Sequence, residues 1–194
     1  MNGRRATHPI PARSATEPTS DPQLLRRLAG GEIGALGELY DRYREPIRRF
    51  VSRATSNADD VDDLVHATFL AAAKSAAVYD GRPCCRPWLV GIAAQLLRRR
   101  RRAIGHLLAV LSSLRGTRAT AVDPRPALHA RADVEQALGR ITEAKRITLL
   151  LAEVEGLSCA EIAGVLGVPI GTVWTRLHAA RRELRQALGE ANEP

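Results

Sequence analysis

The sequence predicts an all-α protein built from two small helical domains joined by a flexible linker. Three observations carry this prediction. Apolar residues recur at steps of three and four, no useful stretch alternates between apolar and polar residues, and 194 residues with 45% hydrophobic composition can form two modest cores. We expect a disordered tail over 1–20, a first domain over 21–102, a linker over 103–130 and a second domain over 131–194.

Four helices are expected in the first domain. The first should have Asp21 as its N-cap, followed by Pro22 at the first helical position. The second spans about 32–52, and Pro46 inside it removes a backbone hydrogen bond, so this helix should be kinked or divided. The fourth begins at Trp88 and continues into the arginine run 98–102. The third begins among carboxylates that favour the positive end of a helix macrodipole: Asp59, Asp60, Asp62 and Asp63.

The second domain is predicted to contain a helix-turn-helix in the stretch GLSCAEIAGVLGVPIGTVWTRLHAARRELR, residues 156–185. Ser158 and Glu161 have the spacing of a capping box at the start of the first helix. Gly167 lies where the chain must reverse, a position suited to positive φ. The second helix, about 170–189, should bury a stripe of four residues: Val173, Leu177, Ala180 and Leu184.

Charge and cysteine content restrict the possible functions. Lys and Arg number 29 against 21 Asp and Glu, a net charge of +8, which favours a polyanionic partner. The 3 cysteines form neither a disulfide framework nor a metal-ligand spacing, so a reducing cytoplasm is expected, without a metal or another cofactor. Neither a signal peptide nor an apolar run of membrane-spanning length is present. No nucleophile-base motif or phosphate loop occurs, so no catalytic residue is assigned and an enzyme is not expected.

Two stretches resemble a known family. The run GLSCAEIAGVLGVPIGTVWTRLHAARREL is similar to region four of bacterial RNA polymerase sigma factors, particularly the extracytoplasmic-function group. DDVDDLVHATFLAAAK followed by RPWLVGIAAQLLRRRRR resembles region two of that group. The resemblance covers about 21–102 and 131–190, in the family's order. It implies a subunit that binds core RNA polymerase, melts the downstream (minus-ten) promoter element with region two and reads the upstream (minus-thirty-five) element with region four. It also leaves room for an anti-sigma protein as a further partner.

The residues and the resemblance together assign three candidate surfaces. The acidic and apolar face of the third helix is assigned to core polymerase: Asp62, Asp63, Leu64, His66 and Phe69. The downstream element and the melted single strand are assigned to cationic, polar and aromatic residues: Lys74, Trp88, Gln95, Arg98, Arg99 and Arg102. Double-stranded DNA at the upstream element is assigned to the second helix of the helix-turn-helix: Thr172, Trp174, Thr175, Arg176, His178, Arg181 and Arg182.

The chain departs from the family's common pattern at five positions. His66 stands where glutamine is usual, Gln95 where asparagine is usual, and Arg99 where aspartate is common. Trp174 occupies a commonly basic position, and Ala179 replaces an arginine. These changes leave the helical pattern intact and bear on which promoter sequence is read.

Two alternatives to a sigma factor stay open at this point. One is a helix-turn-helix regulator that binds DNA without engaging polymerase, and the other is a partner-binding protein that retains only the polymerase-binding helix. The paired DDLV and WLVGIA helices of the first domain favour a sigma factor, because a regulator that only binds DNA does not need them.

Overall fold

Eight α-helices make up the computed structural model of the protein, which describes residues 19–55, 57–115 and 131–190. No strand occurs in those ranges, so the all-α prediction is confirmed there. The predicted linker from 116 onward and nearly all of the predicted tail lie outside the described residues. The helices are α1 (Asp21–Ala29), α2 (Ile33–Ala54), α3 (Val61–Ser75), α4 (Arg86–Arg115), α5 (Arg131–Arg140), α6 (Glu143–Glu153), α7 (Cys159–Leu166) and α8 (Ile170–Glu190).

The buried carboxylate of Asp21 holds the start of α1 in place. Ser20, and not Asp21, is the N-cap residue of this helix. Asp21 instead accepts hydrogen bonds from Arg42 at 2.6 Å, from the Cys85 amide at 2.8 Å and from the Tyr43 hydroxyl. Burial alone raises the pKa of Asp21, but these hydrogen bonds outweigh burial and bring the pKa below its ordinary value. The first helix is therefore fixed both to α2 and to the residue before α4.

Two helices differ from their predicted extents. Helix α2 runs unbroken from Ile33 to Ala54, so Pro46 does not divide it. Helix α4 continues to Arg115, which makes 103–115 part of the first domain's last helix and not linker. The weak apolar pattern after the arginine run concealed this continuation, because arginine and alanine favour helix without marking a buried face.

The two domains share one apolar core. In the first domain its largest fully buried side chains come from α1, α2 and α4: Leu24, Leu25, Leu39, Ile47, Val51, Leu89, Val90 and Leu97. Six residues of the second domain join the same core: Ile147, Leu150, Leu151, Ile162, Leu166 and Val173. A smaller cluster lies within the second domain alone: Leu138, Ile141, Leu149, Leu177 and Ala180. The domains are thus in direct contact in this arrangement.

Helices α4 and α7 approach each other closely at this contact. A Cβ atom placed on Gly91 of α4 would lie 3.4 Å from a methyl group of Val165 on α7, an ordinary van der Waals distance, so the approach would also admit an alanine. None of the helices within the described ranges is both long enough and apolar enough to cross a membrane.

Candidate polymerase and nucleic-acid interfaces

The predicted helix-turn-helix is formed by α7, a tight turn and α8. The Ser158 hydroxyl accepts a hydrogen bond from the Glu161 amide, and the Glu161 carboxylate accepts one from the Ser158 amide at 2.9 Å. The Ser158 amide and the Ser158 hydroxyl both donate to the Glu161 carboxylate, and these two bonds hold the pKa of Glu161 below its usual range. Gly167 ends α7 with φ of 56°, the left-handed conformation that the turn requires. The capping box and the turn glycine are both where the sequence predicts them.

The predicted stripe of α8 is buried and leaves most of the candidate DNA-binding residues in solvent. Val173 and Ala180 are fully buried, Leu177 nearly so, and Leu184 is half-buried. Trp174 is 59% exposed, a large value for an indole. Thr172 is half-buried, whereas four more of the candidates are exposed: Thr175, His178, Arg181 and Arg182.

Two candidates on α8 have partners within the protein. Arg181 donates two hydrogen bonds to Glu153, the shorter at 2.7 Å. Arg176 is half-buried and lines a cleft between the domains together with Arg98 and Arg101. Burial, and then the positive charge of those two arginines, lowers the pKa of Arg176. In this arrangement Arg176 therefore faces the first domain.

The candidate residues of α4 divide into an outward row and an inward arginine. Gln95, Arg99 and Arg102 are exposed and are spaced by four and three residues, so they share one side of the helix. Arg98 is half-buried and donates a hydrogen bond at 3.2 Å to the carbonyl of Gly167, in the turn before α8. Three cationic or polar groups are thus available to nucleic acid on α4, and one is engaged between the domains.

Trp88 and Lys74 are not part of the outward row, because Trp88 packs within the fold and Lys74 lies on α3. The Trp88 ring is half-buried and meets the Tyr79 ring edge to face, with centroids 5.1 Å apart. It also lines a cleft with Leu157 and Val165 of the second domain. Lys74 is exposed in the last turn of α3. Trp88 therefore packs within the fold here, and a role on a separated strand requires its release from this contact.

The candidate polymerase surface on α3 is narrower than the sequence suggests. Asp62, Asp63 and His66 are exposed, whereas Leu64 and Phe69 are buried and belong to the core. Neither apolar side chain reaches the surface, because the same spacing that predicts a partner contact here fits packing against α2 and α4. These two residues stabilise the helix that presents the surface and do not form part of it.

Leu70 is an apolar surface residue that the sequence analysis missed. It is 58% exposed and lies four residues after His66, on the same side of α3 as the exposed acidic residues. The His66 ring stacks on Tyr40 with centroids 5.9 Å apart and planes only 4° apart. The spacing Asp63, His66, Leu70 was the signal in the sequence that could have identified it.

Ion pairs that the sequence does not predict connect elements distant in the chain. Arg86 of α4 pairs at 3.0 Å with Glu155, whose side chain is only 3% exposed. Arg82 pairs with Glu161 at 3.5 Å across the same domain boundary. Within the first domain, Asp60 pairs with Arg100, so one of the carboxylates before α3 holds an arginine of α4. No local pattern marks such pairs, since their members are far apart in sequence.

The cysteines do not form a metal site in the part of the chain that the structure describes. Cys84 is exposed, Cys85 is buried and Cys159 is half-buried. Burial, and then the charge of Asp21, raises the pKa of the Cys85 thiol well above its ordinary value. Among the described residues, no group of three or more His, Cys, Asp and Glu side chains is placed to hold a metal ion.

Comparison with protein families places both domains. Residues 39–106 match the family model described as Sigma-70 region 2, and residues 131–184 match the one described as Sigma-70, region 4. The RNA polymerase sigma factor NccH of Alcaligenes xylosoxydans xylosoxydans is 31% identical over 180 residues, which cover 89% of this chain and 97% of that protein. The RNA polymerase sigma factor CarQ of Myxococcus xanthus is 31% identical over 169 residues, covering 86% and 96%.

Solved structures share the fold over most of the chain. The sigma factor RpoE, crystallised with the anti-sigma factor NepR from Bartonella quintana, has a TM-score of 0.61 and 22% identity, with 79% of this chain and 96% of that chain covered. CnrH, in complex with the cytosolic domain of CnrY, has a TM-score of 0.56 and 28% identity, with 90% and 100% covered.

Proposed function

This chain belongs to the extracytoplasmic-function group of RNA polymerase sigma factors, which are promoter-specificity factors acting with RNA polymerase, and we propose how its two domains divide that work. The first domain, 21–115, binds core polymerase and the downstream promoter element. The second domain, 131–194, reads the upstream element with α8. The work is done in the cytoplasm and without a catalytic step of the chain's own.

The observation that carries the assignment of α8 is the composition of its outward side. The buried stripe turns Trp174, Thr175, His178 and Arg182 into solvent on a single helix that follows a tight turn. A helix held in this way can enter a major groove, place its first turns against base edges and bring later arginines to phosphates. Arg181 and Arg182 supply the cationic charge, and Glu153 fixes the position of Arg181.

For the first domain, the proposal is supported by a difference in charge between the side chains that α3 and α4 expose. The exposed Asp62, Asp63, His66 and Leu70 on α3 combine negative charge with an apolar group, which suits a basic and partly apolar protein partner such as polymerase. The outward row on α4, Gln95, Arg99 and Arg102, lacks acidic groups and suits a nucleic-acid backbone. The two surfaces therefore address partners of different charge.

A regulator that uses only its helix-turn-helix would leave the first domain unexplained, because that domain matches Sigma-70 region 2 over 39–106. We also propose an anti-sigma protein as a partner. RpoE was solved with the anti-sigma factor NepR, and CnrH with the cytosolic domain of CnrY, so both solved relatives occur in complex with another protein.

Run-off transcription tests the proposal directly. The purified full chain is added to core RNA polymerase on a pool of fragments from the source genome, and discrete transcripts that require the chain are expected. Asp63→Arg should weaken retention of core polymerase and reduce these transcripts, because it reverses a charge on the exposed face of α3. Ile33→Ala is the control, because it changes a side chain on α2 that is 79% exposed and lies outside the assigned surface. Undiminished polymerase binding by a folded Asp63→Arg variant would contradict the assigned surface.

A further inference from the structure

Helix α8 exposes a pair of large apolar side chains in its first turns. Ile170 is 41% exposed and Trp174 is 59% exposed, and they are four residues apart, so they are neighbours on the helix surface. Neither side chain belongs to either apolar core of the described residues. The exposed part of each side chain is therefore available to a partner.

The charge around the pair indicates that this partner is a polyanion. From Ile170 to Arg182 the helix has no acidic residue, and its first carboxylate is Glu183. The same segment exposes Arg181, which is paired with Glu153, and Arg182, whereas Arg176 faces the first domain. An apolar pair flanked only by cations and neutral groups fits nucleic acid, whereas a protein partner with a basic surface would be repelled.

Near the pair, the exposed His178 and the Trp174 indole N–H can form hydrogen bonds, but Thr175 and Gly171 offer little to a base. The Thr175 hydroxyl donates to the Gly171 carbonyl at 2.9 Å, so its proton is already engaged. Gly171 has no side chain, and a Cβ atom placed on it would meet nothing within 4 Å. The first turns of α8 therefore present mainly apolar surface to whatever they approach.

In the major groove, the only apolar group on a base edge is the C5 methyl of thymine. We propose that Ile170 and Trp174 select thymine in the upstream promoter element by burying this methyl group. The inference rests on the proposed function, since it requires that α8 reads the upstream element. It adds the identity of the base and the chemical group that is recognised.

The test removes the methyl group from the DNA and, separately, removes from the protein the side chains proposed to bury it, Ile170 and Trp174. The full chain, assembled with core RNA polymerase, first selects duplexes from a library randomised over the upstream element. Each selected thymine is then replaced by uracil, which differs only in lacking the methyl. We expect roughly fourfold weaker binding for each contacted thymine, the value for returning one methyl-sized group to water.

Protein variants complete a double-mutant cycle. In Trp174→Ala and Ile170→Ala, the difference between thymine and uracil should fall to roughly one-fold at the contacted position, because the receptor is gone. Trp174→Phe should retain part of the difference. Ile33→Ala, which removes an exposed apolar side chain on α2, should retain all of it.

The outcomes separate this inference from the proposed function. If wild-type holoenzyme selects no upstream sequence, the assignment of α8 fails and this inference fails with it. If it selects an upstream sequence without thymine, or binds uracil and thymine duplexes equally, only this inference fails. An equal loss of binding to thymine and uracil duplexes in Trp174→Ala would place the ring on sugar or on polymerase and would also overturn the methyl contact.

Discussion

Helices α4 and α8 both carry several arginines, and in both the arginines are divided between the fold and the solvent. On α4, Arg98 donates to the turn of the second domain, Arg100 pairs with Asp60, and Arg99 and Arg102 are exposed. On α8, Arg176 faces the first domain, Arg181 pairs with Glu153, and Arg182 is exposed. Arg86 and Arg98 of α4 and Arg176 of α8 are thus committed to the contact between the domains.

The two helices differ in what accompanies their exposed arginines. On α4 the exposed residue one turn before Arg99 is Gln95, a polar group, whereas on α8 His178 precedes Arg182 by one turn and the Trp174 ring precedes it by two. Polar and cationic side chains on phosphates tolerate any sequence, whereas an aromatic side chain against a base edge favours an apolar group there. The comparison teaches that a basic helix is not by itself a reading helix, because discrimination depends on which side chains reach base edges.

The largest expected effect comes from the core that the domains share. Leu151 is fully buried in that core, so Leu151→Ala should lower the free energy of unfolding by about 2–5 kcal/mol. Val154→Ala removes a side chain that is 47% exposed at the end of the same helix and should change stability by less than about 0.5 kcal/mol. Urea denaturation followed by circular dichroism measures both. Equal values for the two variants would mean that this core is not formed in solution.

The next effect depends on pH and concerns the buried carboxylate of Asp21 in the first domain. Folding lowers the pKa of Asp21 from its ordinary value, so its contribution is fully present above that ordinary pKa and is lost as pH falls through the lower folded pKa. Asp21→Asn should therefore cost about 1–3 kcal/mol near neutral pH, and less on acidification below about pH 4. Unfolding measured between pH 2 and 7 checks this. A cost that is constant with pH would show that the carboxylate charge does not matter.

A smaller effect is expected at the ion pair between the domains. Glu155→Gln should destabilise the chain by about 1–2 kcal/mol, because Glu155 is buried while its partner Arg86 is 39% exposed and partly screened by solvent. Glu153→Gln alters the exposed pair with Arg181 and should cost less than about 1 kcal/mol. Thermal unfolding of both variants at low and high salt provides the comparison. The interdomain role of the pair is refuted if Glu155→Gln is no more costly than Glu153→Gln.

The smallest expected effect is on the salt dependence of DNA binding, and it compares the exposed Arg182 of α8 with the half-buried Arg176. Arg182→Gln should weaken binding to all duplex sequences alike and reduce the slope of log affinity against log salt by about 0.9, the value for one lost phosphate contact. Arg176→Gln should leave that slope nearly unchanged if Arg176 stays in the cleft with Arg98 and Arg101. Titrations with the full chain and core polymerase at several salt concentrations measure the slopes. Equal reductions would show that the domains separate on DNA and release Arg176.

Local patterns in the sequence determined the all-helical class, the capping box at Ser158, the left-handed turn at Gly167 and the buried stripe of α8. Each of these depends on residues a few positions apart, where backbone geometry leaves few alternatives. The family resemblance followed from the same stretches, and matches to Sigma-70 regions 2 and 4 confirmed it. The exposure of Asp63, His66 and Trp174 was likewise accessible from spacing alone.

Only the tertiary structure decided which apolar and cationic residues are available to partners. Periodicity identifies an apolar face but not what covers it, so Leu64 and Phe69 were assigned to a partner although they lie in the core. It also gives no sign that Arg98 and Arg176 would face each other across the domain contact. Such pairings join residues far apart in the chain, and they depend on how two apolar surfaces fit together, which no local pattern encodes.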